Sequence, residues 1–193
     1  GGELSAYYLA KELAKKDIDI HILTSHFNGL KKKEIIDGIT IHRQLKTGSP
    51  NSLKGNLKRI AYFEKSLLIE LPKLYKKENY DLIHCMNTDS IVAIKLKQTI
   101  KKPFIMHVNG PSPFCPKRTL MFKDNIICTK NCTKFTFLDC FLNSTSLGKI
   151  NLKFYTKFNP LVIFHIRQKF EKLNSYMNKY DYYMAISRYM QKR

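Results

Sequence analysis

The sequence has no tryptophan, no long apolar segment and few acidic residues. Its longest apolar runs, such as residues 161–164, are far shorter than the roughly 20 residues that a membrane-spanning helix needs. A transmembrane helix is therefore excluded within these residues. They contain no secretory signal peptide, but the chain begins Gly1-Gly2-Glu3 without an initiator Met, so we expect its true beginning to lie upstream. The chain has 193 residues, of which 44% are hydrophobic, so it can bury the core of one domain. That content excludes a wholly disordered protein.

The shortage of acidic residues makes the chain strongly basic. Its 34 Lys and Arg outnumber 15 Asp and Glu, which gives a net charge of +19 at pH 7. Such a charge indicates an anionic partner: nucleic acid, a phosphate-bearing ligand or an acidic membrane surface. Many of the lysines, however, cluster at the ends of predicted elements, where they keep loops solvated. Solvated lysines are the first interpretation, a membrane-facing patch the second, and recognition of nucleic acid the third.

Helical and strand periodicity alternate along the chain. Residues 3–16 and 57–77 carry apolar side chains at helical spacing, whereas residues 18–24 alternate polar and apolar side chains as a strand does. Further strands are predicted at residues 80–85, 103–108 and 182–186. This alternation predicts an α/β fold of the Rossmann-like, doubly wound class, with a mostly parallel sheet covered on both faces.

Several residues predict where elements begin, turn or end. Pro72 should end or kink the long helix, and Asp37-Gly38 should turn a short β excursion. A helix is predicted at residues 90–101, and Ser187 should cap a last helix. The chain starts one strand too late for a βαβ unit and stops two turns into that helix. We therefore expect the gene to continue in both directions.

Polar residues follow two of the predicted strands at their carboxyl ends, where ligands bind in open α/β sheets. His84 and Asn87 lie at the end of one strand, and His107 and Asn109 lie at the end of the next. An imidazole there could bind a hydroxyl or polarise a leaving group, although a structural hydrogen bond is an equal alternative. The pair Gly1-Gly2 precedes the first helix, whose N-terminus could hold phosphate; a plain tight turn is the alternative. The histidines at positions 21, 26, 42 and 165 are interpreted as structural.

Four of the five cysteines lie in a segment at residues 111–148 that breaks the alternation. They are Cys115, Cys128, Cys132 and Cys140. Four thiolates suit a structural Zn²⁺ ion, but the paired spacing of common zinc knuckles is missing. Two disulfides in an oxidising compartment, or four free thiols, are the alternatives.

Several short motifs follow one another along the chain. They are Gly1-Gly2-Glu3 before a helix, Ile18-Asp19-Ile20-His21-Ile22-Leu23-Thr24, Asp37-Gly38-Ile39, Tyr80-Asp81-Leu82-Ile83-His84, Lys102-Pro103-Phe104-Ile105 with Asn109-Gly110, and Tyr180-Asp181-Tyr182-Tyr183-Met184-Ala185-Ile186-Ser187. Their order resembles the amino-terminal domain of family 4 glycosyltransferases. No single motif is specific, but their joint order runs over nearly the whole chain. Where the family commonly has His, this chain has Asn109, and His107 stands two residues earlier on the same strand face.

The resemblance implies a GT-B fold, of which residues 1–193 would be the acceptor-binding half, with residues 111–148 as a cysteine-containing insertion. The nucleotide-binding carboxyl-terminal domain would be missing. By resemblance, Gly1 and Gly2 approach the donor diphosphate, His84, Asn87 and Gly110 bind the acceptor, and His107 and Asn109 lie at the reacting sugar.

The expected function is therefore sugar transfer in glycan biosynthesis. A retaining, hexosyltransferase-type enzyme would move a sugar from a nucleotide-sugar donor to a saccharide or lipid-linked hydroxyl. It would be cytoplasmic, held peripherally on the inner, anionic face of the membrane. The 193 residues alone are expected to be inactive. A basic four-cysteine zinc module that binds nucleic acid is the alternative function, although no nucleic-acid-binding signature is present.

Overall fold

The computed structural model describes residues 2–47, 53–147, 150–151 and 158–192, and Gly1 lies outside them. The chain divides into two compact units, Gly1–Ile105 and Met106–Arg193. No helix among the described residues combines the length and the apolar character needed to cross a membrane.

The first unit contains regular helices and strands in alternation. Its elements are α1 (Gly2–Ala14), β1 (Ile20–Ser25), β2 (Lys33–Ile36), β3 (Ile39–Leu45), α2 (Leu53–Glu78), β4 (Ile83–Cys85), a 3-10 helix (Thr88–Leu96), α3 (Lys97–Ile100) and the start of β5 (Phe104–Val108). Strands β1 and β3 are parallel, and β2 is antiparallel to β3, in the order β1-β3-β2. The α/β class and the parallel pairing predicted from the sequence are confirmed.

The core of the first unit lies on the central strand β3, whose Ile39 and Leu45 are almost completely buried. Ile39 and Ile41 pack with Ala10 of α1, and Tyr7 borders the same cluster. Burying one such aliphatic side chain contributes roughly 1.5–3 kcal/mol, so the cluster holds α1 on the sheet.

The predicted turn at Asp37-Gly38 is confirmed as a tight β2–β3 hairpin. Both residues have positive φ, 51° and 76°, as a two-residue hairpin with the favoured twist requires. Lys11 of α1 donates to the Asp37 carboxylate at 2.9 Å, and the Tyr7 hydroxyl also donates to it. These two hydrogen bonds hold the pKa of the Asp37 carboxyl below its usual value.

The sequence predicts that Pro72 ends or kinks the long helix, and an end at Pro72 is wrong. Helix α2 continues through Pro72 to Glu78. A proline inside a helix costs about 3 kcal/mol because it removes one hydrogen bond and crowds the preceding turn. Three leucines of the same helix, Leu67, Leu71 and Leu74, are buried. Burial of each side chain contributes about 1.5–3 kcal/mol, and together they outweigh the cost of the proline.

The helix predicted at residues 90–101 begins earlier and has a tighter geometry. A 3-10 helix covers Thr88–Leu96, and α3 follows at Lys97–Ile100. The Asn87 side chain accepts from the Ser90 N–H at 2.8 Å, and the Ser90 hydroxyl accepts from the Asn87 N–H at 3.3 Å. This reciprocal capping box starts the element two residues before its predicted beginning.

The second unit is built from shorter elements. They are the end of β5, β6 (Met121–Phe122), β7 (Ile126–Ile127), α4 (Lys134–Leu142), β8 (Ser146–Leu147), β9 (Ile150–Asn151), α5 (Pro160–Met177), β10 (Tyr182–Ala185) and α6 (Arg188–Gln191). Strand β10 neighbours β5, and beside it the Ile186 N–H donates to the Val108 carbonyl at 3.3 Å. Ser187 caps α6 as predicted, because its hydroxyl accepts from the Met190 N–H at 3.3 Å.

Candidate functional site

A cavity of about 780 Å³ opens in the first unit where β1 and β3 end. Ligands of open α/β sheets bind at this edge, outside the carboxyl ends of the strands. The lining side chains are mostly polar, and they are His26, Lys32, Arg43, Gln44, Leu45, Lys46, Thr47, Tyr62 and Glu70. Their donors and acceptors suit a hydroxyl-rich or anionic ligand.

Two side chains of this cavity, Arg43 and His26, are held by neighbouring backbone and carboxylate groups. The Arg43 guanidinium forms an ion pair with Glu34 and donates to the Lys31 carbonyl at 3.2 Å. The His26 ring Nε2 lies 3.1 Å from the Leu30 carbonyl oxygen. A guanidinium fixed in this way presents its donors without the entropic cost of ordering a long side chain.

His84 and Asn87 lie where the sequence predicted, at the carboxyl end of β4 in the first unit. His84 is half-buried between Ile83 and Cys85, which are both buried. Asn87 is exposed, and its amide oxygen accepts the capping hydrogen bond from Ser90. Asn87 therefore has a structural role that the sequence argument missed, although an Asn three residues before a Ser is a cap signal.

His107, Asn109 and Gly110 lie at the carboxyl end of β5 in the second unit, and all three are half-buried. Burial lowers the pKa of His107, which favours a neutral imidazole at neutral pH. A neutral imidazole can accept a proton from a hydroxyl group. At Gly110 no atom of the described neighbouring residues lies within 4 Å of the position that a Cβ would take, so these neighbours leave room for a side chain there.

Gly2 is the first residue of α1, as the predicted phosphate site requires, and Glu3 lies in the same first turn. The N–H groups of a first helical turn have no partner within the helix and can bind an anion. The other half of that prediction, Gly1, lies outside the described residues.

The four clustered cysteines line one cavity of about 320 Å³ in the second unit, and all four are thiols rather than members of a disulfide. Burial raises the pKa of Cys132 to about 11, so its thiol stays protonated at neutral pH. The Arg167 guanidinium donates to the Cys132 carbonyl at 2.6 Å. Among the described residues, another group of side chains has its potential ligand atoms close enough together to hold an ion. Zinc at the cysteines therefore stays a prediction.

That other group is formed by His21, His42 and Glu78, and the sequence argument missed it by treating both histidines as structural. Burial and the neighbouring His21 lower the pKa of His42, which is 1% exposed, so its ring is neutral at neutral pH. A usable signal was present: both histidines lie on predicted strands, where alternation places them on a definite face.

Comparison with known proteins relates the chain to a family rather than to an individual protein. No curated protein matches the chain. The family model of Glycosyltransferase Family 4 matches residues 1–193, which is the full sequence. The chain therefore belongs to glycosyltransferase family 4.

Proposed function

We propose that this chain is the acceptor-side domain of a retaining, hexosyltransferase-type enzyme. The enzyme would transfer a sugar from a nucleotide-sugar donor to a hydroxyl group of a saccharide or of a lipid-linked acceptor. This transfer would be a step of glycan biosynthesis. The observation that carries the proposal is the family match over all 193 residues. The polar side chains at the carboxyl ends of β4 and β5 support it, because ligands of this fold class bind at such ends.

His107 is the residue assigned to the reacting hydroxyl. Its lowered pKa supports a neutral ring that accepts a hydrogen bond or a proton from that hydroxyl. Asn109 offers one donor and one acceptor to the sugar beside it. His84, Asn87 and Gly110 would contact the acceptor.

The leaving diphosphate gains negative charge as the sugar departs. The N-terminal turn of α1 at Gly1-Gly2 would stabilise that charge through its N–H groups and helix dipole. Most donor contacts would come from a domain beyond this chain, so these 193 residues alone would not turn over.

The net charge of +19 supports a peripheral site on the cytoplasmic, anionic face of a membrane. Each basic residue near such a surface contributes about 1 kcal/mol of attraction. The zinc module that binds nucleic acid is not proposed, because nothing favours it beyond the charge and the cysteines from which it was first considered.

The test is sugar transfer by the complete gene product, with a panel of nucleotide sugars and an extract of lipid-linked and free saccharides as acceptors. His107→Ala should lower kcat/KM by a factor on the order of 10² to 10⁴, the usual contribution of a positioned acid or base. His165→Ala is the matched control, because His165 is exposed on α5 and should leave kcat/KM unchanged.

Two results would count against parts of the proposal. Full activity of the His107→Ala enzyme would remove His107 from the reacting site. Turnover by the isolated 193-residue chain would contradict the claim that a further domain is needed.

A further inference from the structure

Three metal-ligating side chains from three elements of the first unit converge beside the β1–β3 sheet. His21 comes from β1, His42 from β3, and Glu78 is the last residue of α2. One ligand atom from each lies within 4.8 Å of the other two. The group lies apart from the proposed transfer residues in sequence, and the proposed function uses none of its members.

Strand register explains why the two histidines meet. In the parallel β1–β3 pair, His21 is level with Thr40, and Leu23 is level with His42. Side chains that are level, or two residues further along, lie on the same face of a sheet. The His42 ring therefore lies diagonally beside the His21 ring, with 5.1 Å between the ring centroids.

The end of helix α2 brings the carboxylate to the same place. Asn79 has a positive φ of 51°, and its N–H donates to the Tyr75 carbonyl at 2.8 Å, which ends the helix in a left-handed cap. The chain then turns so that the Tyr80 hydroxyl lies 2.6 Å from Nδ1 of His21. Glu78, immediately before the cap, shares this position beside the rings.

The spacing of the nitrogens matches tetrahedral coordination. His21 Nδ1 and His42 Nε2 are 3.1 Å apart. Two imidazole nitrogens at about 2.0–2.1 Å from a tetrahedral Zn²⁺ ion would be about 3.3 Å apart. An ion could therefore replace the shared proton between the two rings with a shift of only a few tenths of an ångström.

The outer nitrogen of His21 has the partner that metal-binding histidines usually have. His21 Nε2 lies 3.3 Å from a carboxylate oxygen of Asp19. A carboxylate that accepts the outer N–H keeps the proton on Nε2 and leaves the lone pair of Nδ1 for an ion. The same Nδ1 faces His42 and Tyr80.

We propose that His21, His42 and Glu78 form a binding site for a divalent transition-metal ion of the zinc class. Two imidazoles and one carboxylate are a ligand set that Zn²⁺ accepts, whereas Mg²⁺ and Ca²⁺ need mainly oxygen ligands. A water molecule beside the Tyr80 hydroxyl completes four-coordination. The ion ties the end of α2 to strands β1 and β3, so its role is structural.

A competing cation must leave when the ion enters. The Lys77 ammonium lies 3.4 Å from the Glu78 carboxylate, and its side chain is 68% exposed. An exposed ion pair of this kind contributes at most about 1 kcal/mol, far less than metal coordination. Lys77→Ala should therefore raise metal affinity by a few-fold.

The experiment measures zinc retained by the complete, tag-free gene product after dialysis, followed by titration with Zn²⁺ and Co²⁺. We expect about one equivalent of zinc at this site. His21→Gln and His42→Gln should each weaken binding on the order of 100-fold or more, since even outer-shell changes cost 10- to 100-fold. His165→Gln is the matched control and should bind like the natural protein.

Glu78→Gln keeps the experiment decisive if a histidine variant fails to fold, because Glu78 is partly exposed at the end of its helix. Zinc should raise the unfolding temperature of the natural protein and have a much smaller effect on Glu78→Gln. A similar zinc-induced rise in Glu78→Gln and the natural protein would contradict the proposal.

The four clustered cysteines provide the rival site, and the Co²⁺ spectrum separates the two. Cobalt bound by imidazole and carboxylate lacks the intense near-ultraviolet band of thiolate coordination. Cobalt bands without that thiolate feature, retained when all four cysteines are replaced by Ser, would support the proposal. Binding that follows the cysteines and ignores the histidine changes would overturn it, as would failure of the natural protein to bind zinc.

Discussion

The two units bury polar side chains in opposite ways. In the first unit the His42 ring is buried beside the half-buried His21 ring, on strands that an apolar core already holds in place. In the second unit the Lys117 side chain is buried, only 1% exposed, among strands of only two residues. The two histidines are added to strands that the apolar core already holds together. In the second unit, Lys117 takes over part of the work that such a core does in the first.

The Lys117 ammonium joins segments that no long element connects. It pairs with Asp124, donates to the Ser144 hydroxyl, and lies 3.3 Å from the Met121 carbonyl oxygen. Asp124 in turn accepts from the Thr145 hydroxyl at 2.9 Å. Where short strands supply few backbone hydrogen bonds, this network fixes the loop, and its loss should affect the second unit most.

The Lys117→Met variant tests whether the second unit depends on the Lys117 network, and it has the largest expected effect on stability. Removing one partner of a buried pair leaves the other charge uncompensated, which costs about 3–5 kcal/mol. The free energy of unfolding, measured by urea titration, should fall by that amount. Amide exchange should increase in α4 of the second unit more than in β3 of the first.

Two further variants sharpen this prediction. Lys123→Met removes an exposed lysine that pairs with Asp139, so it should cost less than about 1 kcal/mol. The double change Lys117→Met with Asp124→Asn should recover part of the loss, because it removes the charge left uncompensated and keeps an amide oxygen that accepts from Thr145. A double variant as unstable as the single one would indicate that the loss does not come from an uncompensated charge on Asp124.

Ile39→Ala applies the corresponding test to the first unit. Ile39 is fully buried in the β3 core, so truncation should cost about 2–4 kcal/mol through lost burial and the cavity that remains. Here amide exchange should increase in β1 and β3 and change little in α4. Ile35→Ala on β2, where the side chain is 71% exposed, is the control and should stay within about 0.5 kcal/mol.

The same contrast explains how far the sequence could predict the structure. Periodicity located the strands and helices of the first unit, because their order follows from local alternation and from turn residues such as Asp37-Gly38. It failed at Pro72, where burial of leucines on one helix face outweighs a local rule. It also treated His21 and His42 as unrelated, because their meeting depends on strand register and on the end of α2, which are not local properties.

In the second unit the failure has another cause. Lys117 belongs to a residue type that is almost always exposed, and its burial depends on partners up to 27 residues away. The same loop has positive φ at Arg118, Leu120, Lys123 and Asp124, none of them glycine. No turn signal marks such positions, so composition could indicate only that the segment breaks the pattern. The sequence did predict that His84 and His107 lie at strand ends. That prediction depends only on the strand order and not on contacts between distant residues.

Acidification tests the Lys117–Asp124 pair of the second unit, and its expected effect is the smallest of those predicted here. Burial alone would raise the pKa of Asp124, but hydrogen bonds from Lys117 and Thr145 outweigh burial and hold it well below the ordinary value of 3.8. A carboxyl with a lowered folded pKa stabilises the protein above its unfolded pKa, and that stabilisation is lost as the pH falls toward the folded pKa. From about pH 4 to about pH 3, the loss due to Asp124 should be about 1 kcal/mol.

Asp124→Asn isolates this contribution from the other carboxyl groups. The variant is less stable than the natural protein at neutral pH, and the gap should narrow by that same ~1 kcal/mol between about pH 4 and about pH 3. Urea titrations of both proteins at each pH measure it, with amide exchange in α4 reporting on the second unit. A gap that stays constant on acidification would mean that Asp124 is not held as a carboxylate by Lys117. The second unit would then depend on its apolar core, as the first does.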